Sequence, residues 1–211
     1  MSIDYRLFRA VFARAAIEAD SQHALPSKQA RLLQGRIKHS LTFPAMNATI
    51  VSDYLPGALG RITELHASFY HRHAGFGLHF ERKVACELAE FLGRYDKARD
   101  RLWLAVADGQ IEGSIVIDGI HANTIGAHLR WFILSDRLRG GGMGNALVAA
   151  AVDFCRDRHY RTTYLWTFEG LHAARHLYEK NGFRLVAQQP GAQWGQVVNE
   201  QRLELVLPAS T

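Results

Sequence analysis

The sequence predicts an α/β protein with a mixed, mostly antiparallel sheet of about seven strands, flanked by helices and preceded by a helical extension. Two observations lead to this prediction. Apolar residues recur with period two in some segments and with helical period in others, in the order strand, two helices, three strands, helix, strand, helix, two strands. In addition, Asp108-Gly109 separates two strand-like runs, which is typical of an antiparallel hairpin.

The first 45 residues predict a helical extension ahead of a main domain that spans residues 46–211. Apolar residues recur at helical spacing over residues 4–19, and Pro26 is suited to open a second helix that ends near Ser40. The first stripe consists of Leu7, Phe8, Val11, Phe12, Ala15 and Ala16. We expect so apolar a stripe to pack on the main domain or on a second subunit, as in a homodimer.

The net charge of +5 is concentrated in this extension. Residues 1–45 carry seven basic and three acidic side chains, or +4, which leaves +1 for the rest of the chain. Such an arm is able to touch nucleic acid, but a solvated helix face explains the same charges. The second interpretation is favoured because the basic residues lack interleaved aromatic rings and the segment is too short for a complete winged helix. Nucleic acid is therefore not an expected partner.

Composition favours a cytoplasmic protein with one main core. The chain has 211 residues and 48% hydrophobic content, which is enough to bury a core in one domain. No apolar run approaches the roughly 20 residues of a membrane helix, and the first residues lack a secretory signal, so no membrane partner is expected. Cys86 and Cys155 do not form a disulfide framework, and both are expected to be small buried hydrophobic residues.

The main domain is expected to begin with a strand over residues 49–52, followed by a Pro56-Gly57 turn and two helices. The first helix is indicated by apolar residues at Ile62, Leu65, Phe69 and Tyr70, and the second runs over residues 80–92. Strands are predicted at 102–106, 114–117, 128–134, 162–168, 183–187 and 201–207, with helices after residue 144 and around residue 178. Pro190-Gly191 and Trp194-Gly195 are expected to lie in the last loop.

A glycine-rich loop, Arg139-Gly140-Gly141-Gly142-Met143-Gly144, lies between a predicted strand and a predicted helix. Glycines let the backbone approach a ligand closely, and a helix N-terminus presents unpaired N–H groups to an anion. The loop lacks the Lys-Ser/Thr ending of a P-loop, and residues 160–166 lack the carboxylate with which a dinucleotide fold holds ribose. A tight turn without a ligand has the same composition, but the context favours a pyrophosphate site.

At this loop the chain resembles the GCN5-related N-acetyltransferase (GNAT) family, whose signature Arg/Gln-x-x-Gly-x-Gly/Ala follows the fourth strand. Arg139, Gly142 and Gly144 occupy those places. A second family feature is a helix after the fifth strand that ends in Tyr-x-x-x-Gly-Phe, found here as Tyr178-Glu179-Lys180-Asn181-Gly182-Phe183. The resemblance covers about residues 48–207 and is greatest to acetyltransferase domains fused behind MarR-like regulators, to which residues 129–132, 165–168 and 173–178 are similar. It implies the acyl-CoA N-acyltransferase fold.

The resemblance also implies acetyl-CoA as co-substrate, without a metal. The coenzyme diphosphate would bind the backbone of the loop and of the first helical residues, namely Arg139, Gly140, Gly141, Gly142, Met143, Gly144 and Asn145. The pantetheine arm would pair with the backbone of Phe132, Ile133 and Leu134, where the fourth strand splays from the fifth. A bulge nearby would offer an N–H to the thioester oxygen. Leu171 stands where many relatives carry Asn, so a side-chain contact to the coenzyme is expected to be missing.

Tyr178 is the candidate acid that protonates the departing thiolate, although packing on the core would also explain a tyrosine at this position. The base is open, because the motif strand carries no carboxylate where several relatives carry glutamate. His128, Glu169 and Glu200 are candidates by placement, each of which is also explained as a capping or solvated group, and a water chain is an alternative. The eleven histidines form no metal-binding pattern.

These observations predict transfer of the acetyl group of acetyl-CoA to a primary amine of a small molecule, peptide or protein by direct attack. Two alternatives remain: a non-catalytic coenzyme A-binding regulatory module, and a nucleic-acid-associated regulator that uses the basic N-terminal helices. We expect the helices before Gly93 and the loop around Trp194 to select the acceptor.

Overall fold

A computed structural model describes residues 48–208 of the chain. The helical extension predicted over residues 1–45, with its two helices and its basic charges, lies outside the described residues and stays a prediction.

The described residues contain seven strands in one sheet. The strands are β1 (Ala48–Val51), β2 (Arg101–Ala107), β3 (Gln110–Asp118), β4 (Ala127–Leu134), β5 (Thr162–Phe168), β6 (Arg184–Gly191) and β7 (Val198–Val206). Their order across the sheet is β1-β2-β3-β4-β5-β7-β6. All neighbours pair antiparallel except β4 and β5, which are parallel. The predicted mixed, mostly antiparallel sheet is confirmed.

Helices cover both faces of the sheet. Those in residues 48–208 are α1 (Ala58–Ala74), α2 (Leu78–Gly93), α3 (Met143–Asp157) and α4 (His172–Lys180), and a short 3₁₀ helix spans Asp136–Leu138. The buried residues of α2 recur at helical spacing and include Val84, Leu88 and Phe91. On α1, Ile62 is buried, whereas Leu65, Phe69 and Tyr70, which also predicted this helix, are half-buried. None of these helices has both the length and the apolar composition of a membrane span.

Alternation along the strands divides the core into two layers. On β2, Leu102 and Leu104 pack in the layer that contains α1 and α2, whereas Trp103 faces the layer that contains α3 and α4. On β3, Val116 packs in the layer that contains α1 and α2, and Ile115 packs in the layer that contains α3 and α4. Successive side chains of a strand point to opposite faces, so one sheet supports both layers. Full burial of such a large apolar side chain contributes about 1.5–3 kcal/mol to folding.

The hairpin between β2 and β3 has the predicted turn. Asp108 and Gly109 have φ angles of 50° and 73°, which suit the tight two-residue connection that Asp-Gly favours. At the other edge, β6 continues through Pro190 to Gly191, so this dipeptide was wrongly expected to lie in a loop. Proline is tolerated there because β6 is an edge strand that pairs only with β7.

The two cysteines have different environments. Cys155 is buried in α3, as expected, and burial raises the pKa of its thiol to about 12. Cys86 is exposed, so the expectation that both cysteines are buried was wrong for this residue. The apolar stripe of α2 explains the difference, because Val84 and Leu88 face the sheet and leave position 86 on the opposite side of the helix.

Candidate functional site

Strands β4 and β5 pair only at their first residues. The ladder consists of Ala127 with Thr163 and His128 with Tyr164, and no pair follows along the rest of either strand. Beyond this point β4 pairs with β3 alone, and β5 with β7 alone. The β5-facing backbone groups in the second half of β4, which includes Phe132, Ile133 and Leu134, therefore have no strand partner. This is the splayed arrangement that the sequence resemblance implied.

A bulge distorts β4 at the same place. Ser114 of β3 pairs with Ile133 and Val116 pairs with Arg130, so Trp131 and Phe132 both lie opposite Ile115. Trp131 has a φ of 45°, which is unfavourable for a residue with a side chain by about 1–3 kcal/mol. The Ser114 hydroxyl donates a hydrogen bond of 2.7 Å to the Trp131 carbonyl and helps to hold this conformation. The expected bulge is thus present, next to the opening between the strands.

A cavity of about 480 Å³ lies at the opening. Its walls come from α1 and α2, from residues 128–132 of β4 and 165–168 of β5, from α4, and from the loop between β6 and β7. The volume falls in the range of about 300–1,000 Å³ that is common for small-molecule sites. Both splayed strands, the helix that carries Tyr178 and the helices before Gly93 therefore line one cavity.

The glycine-rich loop joins the 3₁₀ helix to α3, and its glycines serve two different purposes. Gly140 and Gly142 have φ angles of 79° and 84°, and a side chain built on either would meet nothing within 4 Å. A Cβ on Gly144 would instead lie 3.0 Å from Leu177 Cδ1 and 3.3 Å from Leu134 Cδ1. The first two glycines keep the backbone of the loop accessible, whereas Gly144 makes room for packing beneath the helix.

The N-terminus of α3 is open to a ligand. Its first backbone hydrogen bond runs from the Ala146 N–H to the Gly142 carbonyl at 3.1 Å. The N–H groups of Met143, Gly144 and Asn145 have no backbone acceptor among the described residues, as is usual in a first helical turn. Together with the bare glycine backbone, these donors fit an anionic group such as a diphosphate.

Arg139 does not extend freely from the loop. Its guanidinium donates to the Leu134 carbonyl at 2.9 Å, forms an ion pair of 2.5 Å with Asp136, and lies 4.5 Å from the centre of the Phe69 ring. The side chain therefore ties the loop to the end of β4 and to α1. In this geometry Arg139 positions the loop.

Tyr178 lies at the cavity wall on α4. Its ring contacts Phe132 and Phe183 edge to face, with centroid distances of 5.8 and 6.0 Å. The side chain is 6% exposed, and its hydroxyl makes no hydrogen bond with any described residue. Burial raises the pKa of this hydroxyl well above its usual range, so it holds its proton at neutral pH. At neutral pH the side chain is therefore a phenol and not a phenolate.

The three candidate bases are not brought together. His128 lines the cavity and stacks on Tyr164 at 4.4 Å, whereas neither Glu169 nor Glu200 lines it. Glu169 is exposed and accepts a hydrogen bond of 3.0 Å from Asn199. Glu200 is buried and accepts two hydrogen bonds of 2.9 Å from Gln193. Glu169 is thus hydrogen-bonded to β7 and Glu200 to the β6–β7 loop, and neither side chain lines the cavity.

His128 is a neutral group in the folded protein. Burial, with the nearby Arg130 guanidinium as the next cause, lowers the pKa of His128 to about 3. It is able to accept a hydrogen bond at neutral pH but holds an added proton poorly. Residues 48–208 contain no group of three or more His, Cys, Asp or Glu residues arranged to hold a metal ion, and the absence of a metal site from the protein stays a prediction.

The helices before Gly93, which are α1 and α2, were expected to select the acceptor, but no residue on them was predicted to line the cavity. His66 is buried there, and its Nδ1 must carry a proton because it lies 2.8 Å from the Ile62 carbonyl, which only accepts. Nε2 is therefore an acceptor, and burial lowers the pKa of the ring to about 4. Tyr70 lies one turn further along α1, and burial raises its pKa to about 12. In the sequence, a histidine within an apolar helix stripe looks the same whether it lines a cavity or packs in the core.

Charged groups at the other end of the cavity are paired with one another. Lys83 and Arg130 both contact Glu87, and Arg130 also lies 3.5 Å from Asp118. Arg94 binds Asp118 through two hydrogen bonds of 2.6 and 3.0 Å. The guanidinium of Arg94 is the leading cause that lowers the pKa of Asp118 against the effect of its burial. This network fixes α2 against β3 and β4.

Comparison with known proteins agrees with this geometry. Residues 61–183 match the model of the acetyltransferase (GNAT) family, and a search of curated proteins finds no significant match. Among solved structures, an acetyltransferase from Streptococcus agalactiae is 19% identical, with a TM-score of 0.61 over 76% of this chain and 98% of that chain. The yncA acetyltransferase from Salmonella typhimurium, solved with its cofactor acetyl-CoA, is 17% identical, with a TM-score of 0.60 over 77% and 96%.

A third similar structure is the ribosomal-protein-S18-alanine N-acetyltransferase from Escherichia coli, which is 18% identical with a TM-score of 0.56 over 78% of this chain and 96% of that chain. At such identities the structures establish a shared fold. The family match covers more than half of the 211 residues and contains the glycine-rich loop, the splayed strands and Tyr178. The chain belongs to the acetyltransferase (GNAT) family.

Proposed function

We propose that the protein transfers the acetyl group of acetyl-CoA to a primary amine by direct attack of the amine on the thioester. Family membership assigns the broader class, acyl transfer. The observation that carries the proposal is the opening between β4 and β5, where the bulge and Tyr178 line one cavity. The acceptor is a small molecule or a peptide or protein amine.

Acetyl-CoA would be held mainly by backbone groups. The diphosphate would bind at Gly140, Gly142 and the first turn of α3, where N–H donors are free and no side chain stands in the way. The pantetheine arm would pair with the unpartnered edge of β4 at residues 132–134. The Salmonella typhimurium structure with acetyl-CoA supports this choice of donor. The whole arrangement needs no metal ligand.

The chemistry forms a bond between the amine nitrogen and the acetyl carbon and breaks the bond between that carbon and sulfur. The nitrogen loses one proton and the departing thiolate gains one. Tyr178 would give its proton to the thiolate, since its hydroxyl is protonated and lies at the cavity wall. An N–H from the bulge at Trp131 and Phe132 would stabilise the charge that develops on the thioester oxygen.

Two neutral side chains that line the cavity, His66 and His128, are able to accept the proton from the amine. Because the pKa values of both rings are lowered, each ring would pass the proton on through a water chain and would not keep it. Glu169 and Glu200 have no part in this proposal, because both are engaged outside the cavity. The water finally returns a proton to Tyr178, which balances the reaction.

A cytoplasmic location and a kinship with acetyltransferase domains fused to MarR-like regulators belong to the same proposal and stay predictions. One assay distinguishes an acetyltransferase from a non-catalytic coenzyme-binding regulator. Acetyl-CoA binding is measured by calorimetry, and free-thiol release is followed over a panel of amines with the full chain. We expect binding together with amine-dependent thiol release. Binding without release from any amine would favour a non-catalytic module, and absence of binding would remove the proposal.

A further inference from the structure

One end of the cavity is walled by aromatic rings. Tyr70 on α1, Phe80 on α2, Phe168 on β5 and Phe76 in the α1–α2 turn lie with ring centroids 5.0 to 5.9 Å from one another in five pairs. Trp194 from the β6–β7 loop adds a fifth ring, 5.5 Å from Phe168. All five side chains line the cavity. Aromatic walls of this kind bind apolar and aromatic groups through both area burial and ring packing.

The loop that carries Trp194 is fastened over this end. Gln196 donates a hydrogen bond of 2.6 Å to the Gly75 carbonyl in the α1–α2 turn. Next to it, a Cβ on Gly195 would lie 2.8 Å from the His79 ring, so the loop and the turn are in close contact. A group that enters the aromatic end therefore meets a closed wall, which suits a compact ligand better than a continuing polypeptide.

The rest of the cavity offers little attraction for a negatively charged group on the acceptor. Lys83, Arg94 and Arg130 are its lysine and arginine residues, and each is paired with a carboxylate. His66 and His128 are neutral at pH 7, since their pKa values lie at about 4 and 3. An acceptor with a carboxylate or phosphate would have to break one of the ion pairs, and an uncharged aromatic body would not.

We infer that the acceptor is a small primary amine on an aromatic or similarly bulky apolar body, without an acidic group. This inference rests on the proposed acetyl transfer and names the substrate class of the same site. The amine would face the bulge and Tyr178, while the body would pack against the cavity-facing surfaces of Tyr70, Phe76, Phe80, Phe168 and Trp194. These rings then determine specificity, and the paired charges at the other end exclude acidic amines.

The test measures kcat/KM for free-thiol release with 2-phenylethylamine, ethanolamine, spermidine, phenylalanine and a short lysine peptide. We expect 2-phenylethylamine to exceed ethanolamine by about 10-fold or more, because burial of one phenyl ring is worth about 1.5–3 kcal/mol. Phenylalanine, which adds only a carboxylate to the same amine, is expected to be the poorer substrate. Higher kcat/KM for spermidine, phenylalanine or the peptide than for 2-phenylethylamine would overturn the inference.

Variants assign the preference to the aromatic end. Trp194→Ala should lower the ratio of 2-phenylethylamine to ethanolamine kcat/KM by about 10-fold, and Trp194→Phe, which keeps a ring, should retain most of it. Tyr54→Ala removes an exposed ring that does not line the cavity and should leave the ratio unchanged. An unchanged ratio in Trp194→Ala would overturn the assignment. If acetyl-CoA binds by calorimetry but 2-phenylethylamine is not acetylated, the inference fails while coenzyme binding stands; if acetyl-CoA does not bind, the proposed function itself fails.

Discussion

Removal of the Tyr178 hydroxyl separates packing from chemistry at the candidate site. Tyr178→Phe keeps the ring between Phe132 and Phe183, whose centroids lie 5.8 and 6.0 Å away. The hydroxyl makes no hydrogen bond with a described residue, so its loss leaves no buried partner unsatisfied. We therefore expect the free energy of unfolding to stay unchanged or to rise by up to about 1 kcal/mol.

Turnover should respond differently. If the hydroxyl protonates the departing thiolate, kcat falls by about 10²-fold while the affinity for acetyl-CoA is retained. The assay follows thiol release with the best amine of the panel, beside calorimetry with acetyl-CoA and thermal unfolding. Tyr164→Phe is the matched control, because Tyr164 is also 6% exposed but does not line the cavity.

Two results would refute the reasoning about Tyr178. Full kcat in Tyr178→Phe would make this tyrosine a packing residue and leave water as the source of the proton. Loss of acetyl-CoA affinity at constant kcat would place the hydroxyl in ground-state binding. A similar loss of kcat in Tyr164→Phe would point to a general disturbance of the splayed strands.

Three further predictions address the loop, the pH dependence and the extension. Gly142→Val should abolish most acetyl-CoA affinity in a folded protein, whereas Gly144→Val should lower the melting temperature through its contacts beneath α3. Calorimetry measures the first effect and thermal unfolding the second. Unchanged affinity in a folded Gly142→Val variant would contradict the proposed diphosphate site. The pKa of His66 falls from about 6.5 in the unfolded chain to about 4 in the folded protein, so His66 should contribute a loss of stability of about 3 kcal/mol as pH falls from 7 to 4, in addition to the loss caused by His128. His66→Asn, which keeps a donor for the Ile62 carbonyl, should reduce the pH dependence measured in denaturant titrations, and an equal slope in both proteins would exclude a contribution from His66. Deletion of residues 1–45 should reduce solubility or change the mass in solution measured by light scattering, and an equally soluble truncation of unchanged oligomeric state would show that the extension is dispensable.

The sheet was predictable because its strands carry local signals. Period-two alternation, the Asp108-Gly109 turn and the apolar spacing of the helices each act within a few residues, and the structure confirms them. The cavity wall was less predictable, because it depends on which sides of α1 and α2 meet the sheet. His66 and Phe80 look like ordinary core residues in sequence, and only the three-dimensional arrangement places them at a cavity. Glu169 and Glu200 do not line the cavity for the converse reason, since their nearness in sequence to β5 and β7 did not fix the direction of their side chains.

The glycine-rich loop shows how one sequence motif combines two physical requirements. Gly142 has a φ of 84° and open space at its Cβ position, so its lack of a side chain serves the backbone conformation and the approach of a ligand. Gly144 lies in helical backbone and is close to Leu134 and Leu177, so its lack of a side chain serves packing between α3, β4 and α4. A pattern of glycines alone could not separate these roles, because both require the same residue. Loss of coenzyme binding after substitution of Gly144 would therefore be weak evidence for a phosphate site, whereas the same loss in a stable Gly142 variant would be strong evidence for it.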